Sequence, residues 1–179
     1  MLEISLDLKQ SNFKGDLLDI GFHNYGVIYN IYKQNNAIID IQYINEDKKN
    51  FSGESFYDSC ALFLSLSGIM SKMRRKILLS KIYNVMRDDG EIHIWDIDKR
   101  YFKTFNKKVN IYLPNNKNKE IHIKDLNILK DTSKEGTIKI INKWFDIIDI
   151  ETWEGLYYIK AQKKRREENN AIKSIASGD

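Results

Sequence analysis

The chain has 179 residues, 42% hydrophobic and 30% charged, with one Pro and nine Gly; this excludes a fibrous or disordered protein and predicts a single domain that buries a core without staples. Net charge is only +4, from 29 basic and 25 acidic residues, too mild to demand nucleic acid. No apolar run reaches the roughly 18 residues of a membrane span, the N-terminus lacks a signal pattern, and the lone Cys60 cannot close an internal disulfide, so the expected location is the cytoplasm.

In chain order, Leu2, Ile4, Leu6 and Leu8 alternate with polar residues and predict a strand. Asp16 to Ile20 reads as a buried strand running into the turn Gly21-Phe22-His23-Asn24-Tyr25-Gly26. A strand, a glycine turn and a helix N-terminus bring backbone N–H groups toward a ligand; an ordinary strand-to-helix turn needs only one such glycine. Val27 to Lys33 carries apolar residues at helical spacing before Asn35-Asn36 ends it. Ala37 to Ile41 is a second short strand, Asn45 to Asn50 a loop, and Asp58 to Ser65 a third strand, apolar on both faces as in a parallel-sheet interior. Met73, Ile77, Leu78, Ile82, Val85 and Met86 share one face of a helix from Ser71 to Arg87, with Gly90 as its left-handed cap. Glu91 to Ile97 is a fourth strand. This alternation predicts a parallel sheet with helical crossovers.

The second half changes character. Val109, Ile111 and Leu113 alternate with polar residues, as do Ile121 and Ile123 beyond the turn Pro114 to Lys119, which predicts a half-exposed antiparallel hairpin that the N-terminal strand joins. Such a hairpin needs a third strand, a helix or a second subunit, so it is also a candidate oligomer contact. Thr132 and Glu135 have capping-box spacing, opening a helix from Thr132 to Lys143 with Ile138, Ile141 and Phe145 on its apolar stripe. Phe145 to Trp153 and Leu156 to Lys164 form a terminal hairpin around Glu154-Gly155. The run Lys163-Lys164-Arg165-Arg166-Glu167-Glu168 reads as a solvated end. The expected organisation is one domain over 1–179: a core of 10–107 and 126–164, an inserted hairpin at 108–125 and a polar tail at 165–179.

Three separated segments resemble the class I S-adenosylmethionine-dependent methyltransferase family. Asp16-Leu17-Leu18-Asp19-Ile20-Gly21 resembles its first motif, an acidic residue and glycine turn after the first strand. Tyr57 to Ile69 is similar to its aromatic-Asp pair with an apolar strand, and Lys81 to Ile94 to its helix, Gly turn and next strand. The likeness spans Asp16 to Lys164. It implies an α/β, Rossmann-like methyltransferase fold, a mostly parallel sheet with a C-terminal antiparallel hairpin and an extra antiparallel β-hairpin insertion.

The resemblance also implies S-adenosylmethionine as cofactor, contacted by Asp19, Gly21, Phe22, His23, Asp40, Leu64 and Ser65 at the carboxyl ends of the first three strands. In that family the glycine turn approaches the methionine part, and an acidic residue ending the second strand accepts both ribose hydroxyls. Asp40 stands about 20 residues after the turn and matches that acid; a solvated strand-end carboxylate is its other reading. Ser65 and Ser67 suit either core or ligand. The sequence departs from the family where His23 and Tyr25 occupy glycine positions, and where too few residues separate Asp40 from Tyr57 for a further helix and strand. One sheet edge is thus trimmed, and residues 37–41 match either the second or the third strand of the family.

No Asn-Pro-Pro-aromatic run and no Pro-Cys nucleophile is present, so base-extruding and cytosine C5 subclasses are set aside. Methyl transfer from a sulfonium runs on alignment and desolvation, with a base only where a proton leaves, and no catalytic residue and no metal site is assigned. His93, Asp96 and Asp98 lie on or after the fourth strand; Asp96 either faces the crevice or is a solvated strand-end carboxylate, and His122 reads as a surface residue. The functional expectation is a methyltransferase acting on a small molecule, without a membrane role. The alternatives are a catalytically silent methyltransferase-fold binding module, and an RNA modifier drawing on Lys72, Arg74, Arg75, Lys76 and the Lys163 to Arg166 cluster.

Overall fold

A computed structural model describes residues 3–21, 25–35, 41–44 (backbone only) and 57–165. In chain order its elements are β1 (Glu3–Asp7), β2 (Leu17–Ile20), α1 (Val27–Asn35), β3 (Ile41–Ile44), β4 (Tyr57–Phe63), α2 (Lys72–Val85), β5 (Met86–Ile97), β6 (Phe105–Leu113), β7 (Lys117–Asp125), α3 (Lys134–Ile141), β8 (Phe145–Trp153) and β9 (Leu156–Lys163). Six strands form one sheet in the order β3-β2-β4-β5-β9-β8, and β1-β6-β7 form a second. Parallel ladders join β3, β2, β4 and β5, while β9 runs antiparallel to both β5 and β8, so the large sheet is mixed.

Period-two alternation sorts the apolar residues of the large sheet onto its two faces. Leu17, Ala61, Phe63, Trp95 and Ile97 point into one core, shared with α1 and the second sheet. Leu18, Ile20, Cys60, Leu62, Ile92 and Ile94 point into the other, covered by α2 and α3. Cys60 is a buried free thiol, pushed well above its ordinary pKa by burial and then by the charge of Asp19.

The second sheet is more deeply built in than a half-exposed hairpin. Val109, Ile111 and Leu113 are at most 2% exposed and pack with Ile4, Leu6 and Leu8 against the large sheet. β1 supplies the third strand by pairing parallel to β6. Asn115 and Asn116, at φ 58° and 55°, close β6 onto β7, the backbone of a tight hairpin turn that Asn tolerates.

Several boundaries differ from expectation. Of the strand expected at Ala37 to Ile41, Ala37 to Asp40 lie outside the described residues; β3 is described over Ile41–Ile44, where Ile41 pairs with Leu17 and Ile44 with Ile20. α2 stops at Val85 rather than Arg87 because Tyr57 recruits Met86 into the sheet. Gly90 is therefore not a helix cap: it lies inside β5, Asp89 takes the left-handed conformation at φ 64°, and a Cβ on Gly90 would stand 2.9 Å from the Arg87 carbonyl oxygen. The cap of α3 is Ser133, whose hydroxyl accepts from Gly136 N at 3.1 Å, not Thr132; Thr132 is buried and its backbone N–H donates to Lys99 O.

Lys163 is not part of a solvated run. It is 3% exposed, donating to Met86 O at 2.6 Å with Asp88 at 3.3 Å. Arg75 is likewise buried, its guanidinium donating to Ile69 O and Asp131 O. Both are withdrawn from the basic surface expected of an RNA modifier.

Candidate active site at the carboxyl edge of the large sheet

The carboxyl ends of β2, β3, β4 and β5 lie together because their ladders are parallel and in register: Ile20 is level with Ile44 and Leu62, and Leu62 with Ile94. Ligands of open α/β sheets bind outside such an edge. Asp19 stands one residue before the end of β2, half-buried on the same face as Leu17. Burial raises its carboxyl pKa from 3.8 to about 7. No ion pair or hydrogen bond offsets that desolvation among the described residues. Gly21 follows, buried, and Gly26 enters α1 at φ 64° with its carbonyl accepting from Asn30 N and, at 2.6 Å, Asn30 Nδ2. A Cβ on Gly26 would meet nothing closer than 3.8 Å, so the backbone angle, not space, is what favours glycine there.

The end of β4 is held differently from the free edge a ligand contact needs. The strand finishes at Phe63, and Leu64 turns into the left-handed region at φ 55° with its N–H donating to Trp95 O at 2.8 Å. Leu64 fills core. Ser65 is fully buried, its hydroxyl shared between Ile20 O at 2.5 Å and Phe63 O at 3.2 Å. That hydroxyl fastens the end of β2 to the end of β4. Thus Asp19, Gly21, Leu64 and Ser65 meet at one edge, whereas Phe22, His23 and Asp40 lie outside the described residues.

Asp96 resolves against the solvated reading. It is 0% exposed, accepts from Ser67 N at 2.9 Å and from Ile97 N at 2.8 Å, and burial pushes its pKa up. Below it lies a group of buried cations that the sequence reading missed. Lys99 donates to Asn127 O at 2.6 Å and Lys130 O at 2.8 Å; Lys130 donates to Ser67 O at 2.6 Å and stands 2.7 Å from Asp125, not aligned as a hydrogen bond. These contacts fix the loops that follow β4, β5 and β7 into one rim. Their one sequence signal is the alternation of β5, which places Asp96 inward with Ile92 and Ile94.

His122 is exposed on β7, 2.6 Å from Asn106 Oδ1. Among the described residues no three His, Cys, Asp or Glu are placed to hold a metal ion, and no helix is long and apolar enough to cross a membrane.

No protein-family model matches the sequence, and no curated protein matches it. Solved structures do match the fold. A SAM-dependent methyltransferase from Methanosarcina mazei superposes with TM-score 0.55 at 12% identity, covering 85% of this chain and 93% of that one. One from Clostridium acetobutylicum gives TM-score 0.55 at 11% identity, covering 84% of each chain. The N-methyltransferase NodS from Bradyrhizobium japonicum, solved with S-adenosyl-L-homocysteine, gives TM-score 0.57 at 10% identity over 87% of this chain and 81% of that one. With its α/β architecture and mixed sheet, the chain has the fold of the S-adenosylmethionine-dependent methyltransferases.

Proposed function

We propose that the chain is an S-adenosylmethionine-dependent methyltransferase with a small-molecule acceptor. The observation that carries this reading is Asp19, a half-buried carboxylate held at about 7 with no charge partner among the described residues, at the sheet edge where this fold takes ligands. An ammonium group, such as that on the methionine part of the cofactor, supplies the missing partner. The bound cofactor would bring an electrophilic methyl group; the chain's own residues hold and orient it. Asp19 accepts the ammonium, Gly21 gives backbone access, and Ser65 and Leu64 shape the wall by fixing the end of β4 to β2 and β5. Phe22 and His23 follow Gly21 in the chain.

For the ribose hydroxyls the candidates are Asp40 and Glu46, the acids nearest in sequence on either side of the described residues of β3. The acceptor side is apolar. Met70, Phe102 and Leu129 are 64%, 77% and 74% exposed on the loops after β4, β5 and β7, and Phe102 holds φ 60°, a strained conformation for an aromatic residue. The modest net charge supports a small acceptor over a nucleic acid.

Calorimetric titration with S-adenosylhomocysteine, and melting with and without it, tests the reading. Ligand at 100 times its dissociation constant should stabilise the fold by about 2.7 kcal/mol. No heat and no shift at millimolar ligand would leave the silent binding module as the function of this fold.

A further inference from the structure

The face of the large sheet that carries the second sheet is only partly covered. Over β5, β9 and β8 a cavity of about 500 Å³ remains, between those strands and the segment after β1. This is within the range of small-ligand sites. Two cross-strand rows, His93-Lys160-Asp149 and Trp95-Tyr158-Glu151, build its floor, with Trp153 beside them. Period-two geometry puts Asp149, Glu151 and Trp153 of β8 on one face, all three lining the cavity.

The aromatic rows are ordered. Trp95 and Tyr158 stack with centroids 4.6 Å apart, His93 stacks on Trp95 at 6.0 Å, and Phe13 meets both His93 and Trp95 edge-on. The cations of the lining are already engaged: Lys160 stands 3.0 Å from Glu91, and Lys9 lies over the Tyr112 ring at 5.4 Å. Asp149 and Glu151 form no ion pair among the described residues. Within the cavity wall His93 is 3% exposed, its Nδ1 paired with Tyr158 Oη at 2.8 Å and its Nε2 without a hydrogen-bond partner.

We infer that this cavity is a binding site for an organic cation, an alkyl- or quaternary ammonium group seated on Trp153 and Tyr158 between the carboxylates of Asp149 and Glu151. Ring quadrupoles attract a cation at their faces, more so when it is desolvated, and two carboxylates with no ion-pair partner among the described residues, Asp149 accepting only from Ile150 N, supply the opposite charge. The Tyr158 hydroxyl reports the same field: burial first, then Asp149, Glu151 and Glu91, hold its pKa well above the ordinary value. The site is distinct from the proposed cofactor edge, since Asp19, Gly21, Leu64 and Ser65 do not line this cavity.

The test titrates the full chain with tetramethylammonium and choline, and with 3,3-dimethylbutan-1-ol as the uncharged isostere of choline. Two of the three tryptophans, Trp95 and Trp153, line the cavity, so intrinsic fluorescence reads occupancy and calorimetry confirms it. Saturable binding of the cations, roughly tenfold tighter than the neutral isostere, is the expected result. Glu151→Gln and Trp153→Ala should each weaken choline about tenfold. If Trp153→Ala melts early, Glu151→Gln, an exposed change, carries the test alone. Equal binding of the isostere, absence of saturable binding, preference for acetate or phosphate, or full affinity in a folded Glu151→Gln variant would each overturn the assignment. Unchanged choline binding with S-adenosylhomocysteine present separates this result from the fate of the methyltransferase reading.

Discussion

Replacing Asp19 by Asn should stabilise the free protein and weaken its cofactor. Burial lifts the folded-state pKa from 3.8 to about 7, so the native state holds its proton more tightly than the unfolded chain. The ionised form is then the disfavoured one, and stability falls as pH rises from 3.8 to about 7. The loss is about 1.36 kcal/mol for each pH unit in that window, giving about 2 kcal/mol at pH 5 and about 4 kcal/mol at pH 8. The amide of the Asp19→Asn variant never ionises and keeps the polar burial of the protonated acid. For a domain of this size the variant should melt roughly 10 °C above the parent at pH 8 but only roughly 4 °C above it at pH 5. Differential scanning calorimetry at the two pH values measures the gap. The same variant should bind S-adenosylhomocysteine at least about tenfold more weakly, since a charged hydrogen bond is worth about 1.5 to 3 kcal/mol. An offset that is equal at both pH values, or a variant less stable than the parent at pH 8, would refute the picture of an uncompensated carboxylate.

Ile111→Ala removes a fully buried side chain from the second sheet and should cost about 2 to 5 kcal/mol in urea unfolding; a loss under about 1 kcal/mol would mean that the sheet is an appendage. His93, lowered to about 4 by burial and then by Lys160 and Lys14, against the opposing pull of Glu91, is neutral at pH 7. Its contribution is full above pH 6.5 and declines by up to about 3 kcal/mol as pH falls toward 4, and an NMR titration midpoint above 6 for this ring would contradict it. Comparing Asp40→Ala with Glu46→Ala by calorimetry identifies the ribose partner: a loss of about 1.5 to 3 kcal/mol is expected at Asp40 and little change at Glu46, and the reverse result would move the role to Glu46.

Much of the architecture was legible because it rests on patterns that burial enforces. Runs such as Leu17–Ile20 and Tyr57–Phe63, apolar toward both faces, announce interior strands, and the alternation of Val109, Ile111 and Leu113 announces a half-buried one. What escaped was set by partners distant in sequence. Gly90 reads locally as a helix cap, yet Tyr57 draws Met86 into the ladder and moves the turn to Asp89. Lys163 reads as the first residue of a charged tail, yet it continues the inward series Tyr157, Ile159, Ala161 and finds Met86 O as its acceptor. Extending the period of two one step further would have placed both Lys163 and Asp96 inside. Ser65 sits at the correct edge, but its hydroxyl holds two strands together, a role that no local spacing announces.

Fold and activity part company at identities of 8 to 13%, where shared architecture reflects shared burial patterns and leaves the chemistry open. Asp19 is the position at which the two readings of this chain make opposite demands. A scaffold that binds no cofactor gains stability from any neutral residue there, because the ionised carboxylate opposes folding above pH 3.8 and no described cation offsets it. A cofactor-binding enzyme needs that charge and tolerates its cost, the familiar opposition of stability and function at a site. The cation that enters the edge should then restore what Asp19 removes. Affinity for S-adenosylhomocysteine should therefore rise as pH passes through about 7 and the carboxylate ionises, with protons released on binding below that pH. Calorimetry in two buffers of different ionisation enthalpy at pH 6 reads that release directly. Proton release in the parent that vanishes in the Asp19→Asn variant is the expected pair of results, and release that persists in the variant would move the linked group, and the site, elsewhere.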